Sequence, residues 1–273
     1  MKKHISTILF TLLFLTGLSV VLYPAVSNYL NSKSQSKAVA SYMERMEQLD
    51  ATQNQKLLEE AMAYNQAVAL RTDRFSVEGE ERDAYLRLLG SNGGAVGYLE
   101  IESINVRLPV YLGDSESVLQ AGVGTLPGAS LPVGGQGTHA VLTGHRGLPS
   151  SRLFTDLDQV TEGDVFVLHV LNRTLSYQVD QIKIVEPQDF AELEILPEQD
   201  LCTLVTCTPY GINTHRMLVR GRRIENIEQP AEEEPIVTEE LGRTSPVRTA
   251  SIAAVPVLAV VAIVLLLPKH KKS

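Results

Sequence analysis

The chain has no tryptophan, only two cysteines among 273 residues, and aromatic residues at just 5%. It also has no acidic residue before position 31 or after position 250, although 32 lie between. Each scarcity excludes something. Two cysteines cannot build the disulfide framework of a small secreted scaffold. They are Cys202 and Cys207, five residues apart in a strand-like run. Extended chain separates their Cα atoms by about 16 Å, against the roughly 7 Å that a bridge tolerates. The odd spacing also turns them to opposite faces, so at least one thiol is free. The acid-free ends carry five lysines, leaving 24 − 5 = 19 basic groups against 32 acidic ones in residues 31–250, a balance of −13. That field repels phosphate backbones and excludes nucleic acid as a partner. No G-x-S-x-G elbow occurs, which removes support for a serine hydrolase.

What is present begins at the ends. Residues 5–26 carry no charge and follow Lys2 and Lys3. That length is near the roughly 20 residues needed to cross a hydrocarbon core. Tyr23 and Pro24 occupy the ground where a small-x-small cleavage site would stand. The segment reads as an uncleaved anchor, with a cleaved signal peptide as the alternative. Residues 252–267 are apolar apart from Pro256 and precede Lys269, Lys271 and Lys272. A basic tail there points to the cytoplasm, so both termini are expected inside and the middle of the chain outside the cell membrane.

Residues 36–70 have helical periodicity, with Val39, Tyr42, Met43, Met46 and Leu49 on one stripe and Thr52 with Gln55 as a candidate capping box for a second helix. Residues 71–94 are rich in charge and breakers and read as an exposed loop. From Ala95 the texture is β: "VGYLEI", "INVRLPVYLG", "HAVLTG", "DVFVLHVL", "LSYQVDQIKIVE", "LCTLVTC" and "RMLVRGRRI" are short strands between turn residues. In the fifth, the alternation changes phase near Asp180, which predicts a bulge. Such a succession indicates a mainly β barrel or sandwich. The expected organisation is an N-terminal anchor or signal at 1–30, a helical region and loop at 31–94, a β domain at 95–228, an acidic linker at 229–250, and a transmembrane segment with basic tail at 251–273.

The chemistry centres on Cys207, which ends an apolar strand. It is either a small core residue or a nucleophile, and a free exterior thiol becomes reactive beside a base or a cation. His139, His169 and His215 lie in strand sequence and read as packed or surface imidazoles. His145 ends "HAVLTGH" and opens into a loop, a common place for an active group. Its spacing alone leaves a structural role equally open. Arg216 begins the strand after the turn that follows Cys207, where a guanidinium can stabilise developing negative charge or stand solvated at a strand edge. Arg220, Arg222 and Arg223 read as solvated.

"TLVTC" at 203–207, "TGHRG" at 143–147 and Arg216 in the next strand resemble the sortases. "LPVGGQGTHAVLTGHRGLPSSRLFTDLD" and "TLVTCTPYGINTHRMLVRGRR" resemble class C, the pilus-assembling group of Gram-positive bacteria, over about residues 36–228. The resemblance implies an eight-stranded β-barrel with Cys207 as nucleophile, His145 as its acid/base partner and Arg216 as oxyanion and substrate-positioning group. It implies cleavage of a Leu-Pro-x-Thr-Gly-type sorting signal through a thioester, without metal or cofactor, and transfer to a lysine of a pilin subunit. Cys202 is expected to be packed.

Class C members also carry a lid loop with an Asp-Pro-aromatic motif. Here "TDRFS" keeps Asp73 and Phe75 but has Arg74 in place of proline, which removes a φ restraint and predicts a more mobile lid. A closed lid would pair Asp73 with Arg216 and set Phe75 over the thiol. The alternatives are a sortase that anchors proteins directly to the cell wall, and a non-catalytic surface module in which Cys207 is merely packed.

Overall fold

The first helix, α1, runs without interruption over Lys2–Gln48, so the apolar run and the first amphipathic segment are one element. The structure, a computed structural model, describes residues 2–226. The expected acidic linker and C-terminal membrane segment lie outside them. Among the described residues, α1 is the one helix long and apolar enough to cross a membrane. Within the compact unit Asn31–Glu228, Val39 and Tyr42 of α1 are buried against Ala95 and Tyr98, and the Leu171 amide donates to the Tyr42 hydroxyl at 2.7 Å.

Helix α2 (Ala51–Ala69) is capped by Asp50, whose carboxylate accepts from the Gln53 amide at 2.8 Å. The expected Thr52–Gln55 capping box does not form, because Asp50 already captures the free first-turn donor and Thr52 falls inside the helix. The stretch read as an exposed loop also differs. It contains α3 (Gly79–Tyr85), and Arg74, Val77, Tyr85 and Leu89 within it are buried. Its apolar residues cluster in "YLRLL" after a polar run, and Tyr85, Leu86, Leu88 and Leu89 pack against the core.

The barrel strands are β1 (Gly97–Ile101), β2 (Val106–Tyr111), β3 (Val123–Thr125), β4 (Thr138–Thr143), β5 (Val165–Val170), β6 (Arg173–Val185), β7 (Asp200–Thr208) and β8 (His215–Arg223). They close in the order β1-β2-β3-β4-β7-β8-β6-β5. Two neighbouring pairs, β2 with β3 and β4 with β7, are parallel. A short helix, α4 (Glu116–Ala121), lies between β2 and β3. The barrel expectation therefore holds, with β3 as the strand that local pattern missed, since three residues cannot display an alternation. Leu99, Leu142, Phe166, Leu168, Leu175, Tyr177, Leu204 and Val219 fill the interior.

The expected bulge is present. The β6–β8 register shifts between Val179 and Gln181, and Asp180 takes the Arg220 guanidinium through both carboxylate oxygens at 2.9 and 3.1 Å. Arg220 is therefore paired rather than solvated. Arg223 likewise donates to the Ser176 carbonyl at 3.0 Å.

His139 is fully buried, with Nδ1 2.8 Å from the Glu194 carbonyl and Nε2 2.7 Å from the Thr203 hydroxyl. A carbonyl only accepts, so Nδ1 carries the hydrogen and Nε2 accepts from Thr203 in the neutral ring. Burial lowers the imidazole from about 6.5 to about 4. The unfolded chain therefore binds the proton first. His139 favours the fold fully above about pH 6.5, loses that contribution as pH falls toward 4, and is level below it. The gap corresponds to about 3 kcal/mol. We expect the urea midpoint to drop between pH 7 and pH 4.5 by a larger margin than in His139→Gln. Equal drops in the two proteins would remove His139 as the cause.

Candidate active site

Cys207, His145 and Arg216 come together through strand register. In the parallel β4–β7 pair, Thr143 lies opposite Val205. The Gly144 amide donates to the Val205 carbonyl at 3.0 Å, and the buried Thr206 hydroxyl donates to the Gly144 carbonyl at 2.8 Å. His145 follows Gly144 directly, past the end of β4, on the side of β7 where Cys207 lies near the strand end. On the other side, Cys207 is the registered partner of Arg216. Adjacent strands lie about 4.8 Å apart, so Cys207 and Arg216 stand side by side, with His145 in the loop that leaves the neighbouring strand β4.

They also share a face. Ala140 and Leu142, Cys202 and Leu204, Met217 and Val219 point into the core. Alternation then turns His145, Cys207 and Arg216 outward. The same outward face carries Val141, Thr143, Val205 and Leu218, which with Arg216 floor a groove of about 240 Å³. Phe190, Leu193 and Leu126 also line this groove. Its apolar floor, one guanidinium and the carboxylates of Asp114, Glu186 and Asp189 at its lining suit an extended peptide with polar as well as apolar side chains.

The two thiols have separate environments. Cys202 is buried in the barrel, and burial pushes its thiol up, away from thiolate. Cys207 is half-buried and reaches the surface. Arg216 donates through Nη1 to the His215 carbonyl at 3.0 Å, which orients its guanidinium along the strand end. The His145 Nε2 lies 3.4 Å from Oε2 of Glu116, an ion-pair distance without hydrogen-bond alignment. Arg146 next to it pairs with Asp158 and lies over the Tyr210 ring. His169 pairs with Glu100 and stacks on Tyr98, and His215 lies 3.3 Å from Glu186.

The 73–75 segment departs from expectation. Among the described residues Asp73 pairs with Arg71 at 3.6 Å, not with Arg216. Phe75 stacks on Phe190 at 4.7 Å and packs against the cluster of Ala129, Val141, Leu193 and Leu218 beside the groove. Arg74 is not a loosened proline position. Its side chain is buried, its guanidinium lies 4.5 Å from the Phe75 ring, and Nη2 donates to the Leu193 carbonyl at 2.6 Å. Gly128, at φ +87°, lets the Arg74 backbone approach so closely that a Cβ there would sit 1.8 Å from its carbonyl oxygen. Side-chain burial and backbone contact thus replace the lost φ restraint. The sequence reading missed Arg74, Glu116 and Phe190. For Arg74 the signal was present, since a charged residue flanked by "TD" and "FS" carries its own aromatic partner.

We expect a maleimide to label Cys207 but not Cys202 in the native protein, and both after unfolding. Peptide mass mapping reads the sites; equal labelling of the two native thiols would contradict the placement.

A family profile described as Sortase domain matches residues 99–224. Sortase D of Bacillus subtilis (strain 168) is 29% identical over 135 residues, which are 48% of this chain and 65% of that protein. The match thus spans just under two thirds of that curated relative. A crystal structure of sortase C1 from Streptococcus agalactiae is 46% identical, covers 70% of this chain and all of that one, and superposes with a TM-score of 0.67. A structure of sortase C from Streptococcus pneumoniae is 41% identical over 71% of this chain and 100% of its own, with a TM-score of 0.60. The barrel places a half-buried cysteine at the strand end where that family's motif resemblance puts its nucleophile, and on these likenesses the chain belongs to the sortases, a family of cysteine transpeptidases, with class C sortases as its structural neighbours.

Proposed function

We propose that this protein is a membrane-anchored transpeptidase that cleaves a Leu-Pro-x-Thr-Gly-type sorting signal and joins pilin subunits through isopeptide bonds to lysine. The observation that carries the reading is the pairing of Cys207 with Arg216 at the end of β7, which supports a nucleophile beside a cation, with His145 two residues past the end of the adjoining β4. The Streptococcus pneumoniae neighbour is described as informative about pilin substrate specificity, which favours pilin as the substrate class here. Helix α1 is the anchor, with the barrel outside the cell and both termini in the cytoplasm.

In the first half-reaction the Cys207 thiol gives its proton to His145, and Sγ attacks the threonine carbonyl carbon. Arg216 stabilises the negative oxygen of the tetrahedral species. The C–N bond breaks, the glycine amine takes the proton from His145, and a thioester remains. In the second, a lysine amine attacks the same carbon. That amine has a reference pKa of about 10.4 and must lose a proton to react, which His145 accepts before the Cys207 thiolate leaves. The segment 73–75, fastened by Arg74 and Phe75 beside the groove, acts as a lid on the resting enzyme.

Loaded with a sorting-signal peptide, the protein should show a thioester by mass, and Cys207→Ala should show none while keeping its fold. Offered a pilin lysine and a cell-wall precursor amine together, the thioester should go to the pilin; exclusive transfer to the wall precursor would instead make this a cell-wall-anchoring sortase. Arg74→Ala combined with Phe75→Ala should speed alkylation of Cys207. An unchanged rate would mean that the segment does not cover the thiol.

A further inference from the structure

Helix α4 begins at Glu116, and one turn later Gln120 donates through Nε2 to Oε1 of that carboxylate at 2.8 Å. The other oxygen, Oε2, is the one 3.4 Å from the His145 Nε2. That nitrogen is shielded from solvent and has no hydrogen-bond partner, although the imidazole as a whole is 25% exposed. The Glu116 carboxyl sits below its usual range, first because of the Gln120 amide and then because of charge on His145. The carboxylate thus stays ionised, oriented from one side and turned to the imidazole on the other.

We infer that Glu116, held by Gln120, is a positioning residue for His145: it keeps the hydrogen on Nε2 and so assigns proton exchange with Cys207 to Nδ1. This rests on the acid/base role proposed for His145. A carboxylate offers only acceptors, so the ring nitrogen facing it carries a hydrogen in the neutral imidazole. The second nitrogen then has the lone pair. The Cys207 proton moves from Sγ to Nδ1 and leaves a thiolate and an imidazolium. The positive ring is stabilised by the Glu116 charge, and Nδ1 later passes that proton to the leaving amine. Nε2–H stays in place throughout. Of the other charged or titratable groups near this strand end, Cys207 lies near the end of β7, its partner Arg216 near the start of β8, and Arg146 is committed to Asp158. Among the described residues, Glu116 is the carboxylate within ion-pair reach.

The pair is exposed, so the effect is modest and weakens with salt. Removing the charge disfavours the imidazolium that forms when the Cys207 proton is taken up. In the full-length protein, Glu116→Gln should slow thioester formation about two- to fivefold at low salt, with the difference shrinking in 1 M salt. Glu116→Asp should recover part of the loss. Long-range ¹H–¹⁵N spectra of histidine-labelled protein, assigned by comparison with His145→Ala, should show His145 as the Nε2–H form. Glu116→Ala should populate the Nδ1–H form. An Nδ1–H ring in the unmodified protein, or a tautomer untouched by Glu116→Ala, would overturn the inference. Thioester formation that survives His145→Ala would instead refute the acid/base role itself, while leaving the tautomer result to be read separately.

Discussion

The arrangement depends above all on the parallel pairing of β4 with β7. Parallel neighbours need a long crossover between them, and here that crossover carries β5, β6 and the segment with Phe190 and Leu193. The pairing aligns two strand ends that are far apart in sequence and point the same way. The Thr206 hydroxyl on the Gly144 carbonyl extends the pairing one step beyond the last β4 residue. His145 then leaves the sheet beside the strand end that carries Cys207. A slip of one residue would turn one side chain of the pair inward, because successive residues face opposite sides. The filled interior resists that slip, since it would drive Leu142 or Leu204 out of the core.

The groove is the outer surface of the same three strands. Its floor is apolar because alternate residues of β4, β7 and β8 face out as well as in, and the outward set includes Val141, Val205 and Leu218. Exposed, this would be an unfavourable patch on a charged protein. Part of it is covered by Phe75 stacked on Phe190, with Arg74 holding the Leu193 carbonyl. The covering segment is short and polar, and its hold comes from one buried guanidinium and the space that Gly128 leaves. Such a hold is local. It can be released without disturbing the barrel, which makes a groove that is alternately shielded and open physically reasonable on this scaffold.

Much was legible locally. Seven of the strands, the bulge at Asp180 and the separation of the two thiols follow from period-two alternation, which needs no partner to be seen. Helix α1 followed from a long uncharged run, although the continuity of that run with the next amphipathic segment did not. What was missed is what lacks a period. Strand β3 is too short, and α3 and α4 are isolated turns of helix whose contacts, rather than their spacing, hold them in place.

Three residue types were readable in Cys207, His145 and Arg216, and the resemblance of the surrounding motifs named their roles. Their meeting at one end of the sheet required the strand order, because β4 joins β7 and not its neighbours in sequence. Glu116 near His145 was not readable, and for Arg74 the neighbouring Phe75 hinted at a partner but not at its buried slot. Each belongs to a segment whose sequence says "polar and exposed", and each acquires its partner only when distant segments fold against it. Sequence by itself determined the repeating elements and the reactive side chains, since alternation, charge and thiol chemistry are properties of neighbouring residues. Tertiary structure decided which strand ends meet and which charges pair, because closure of the barrel is what brings residues separated by 60 or more positions, such as Thr206 and Gly144, to hydrogen-bonding distance.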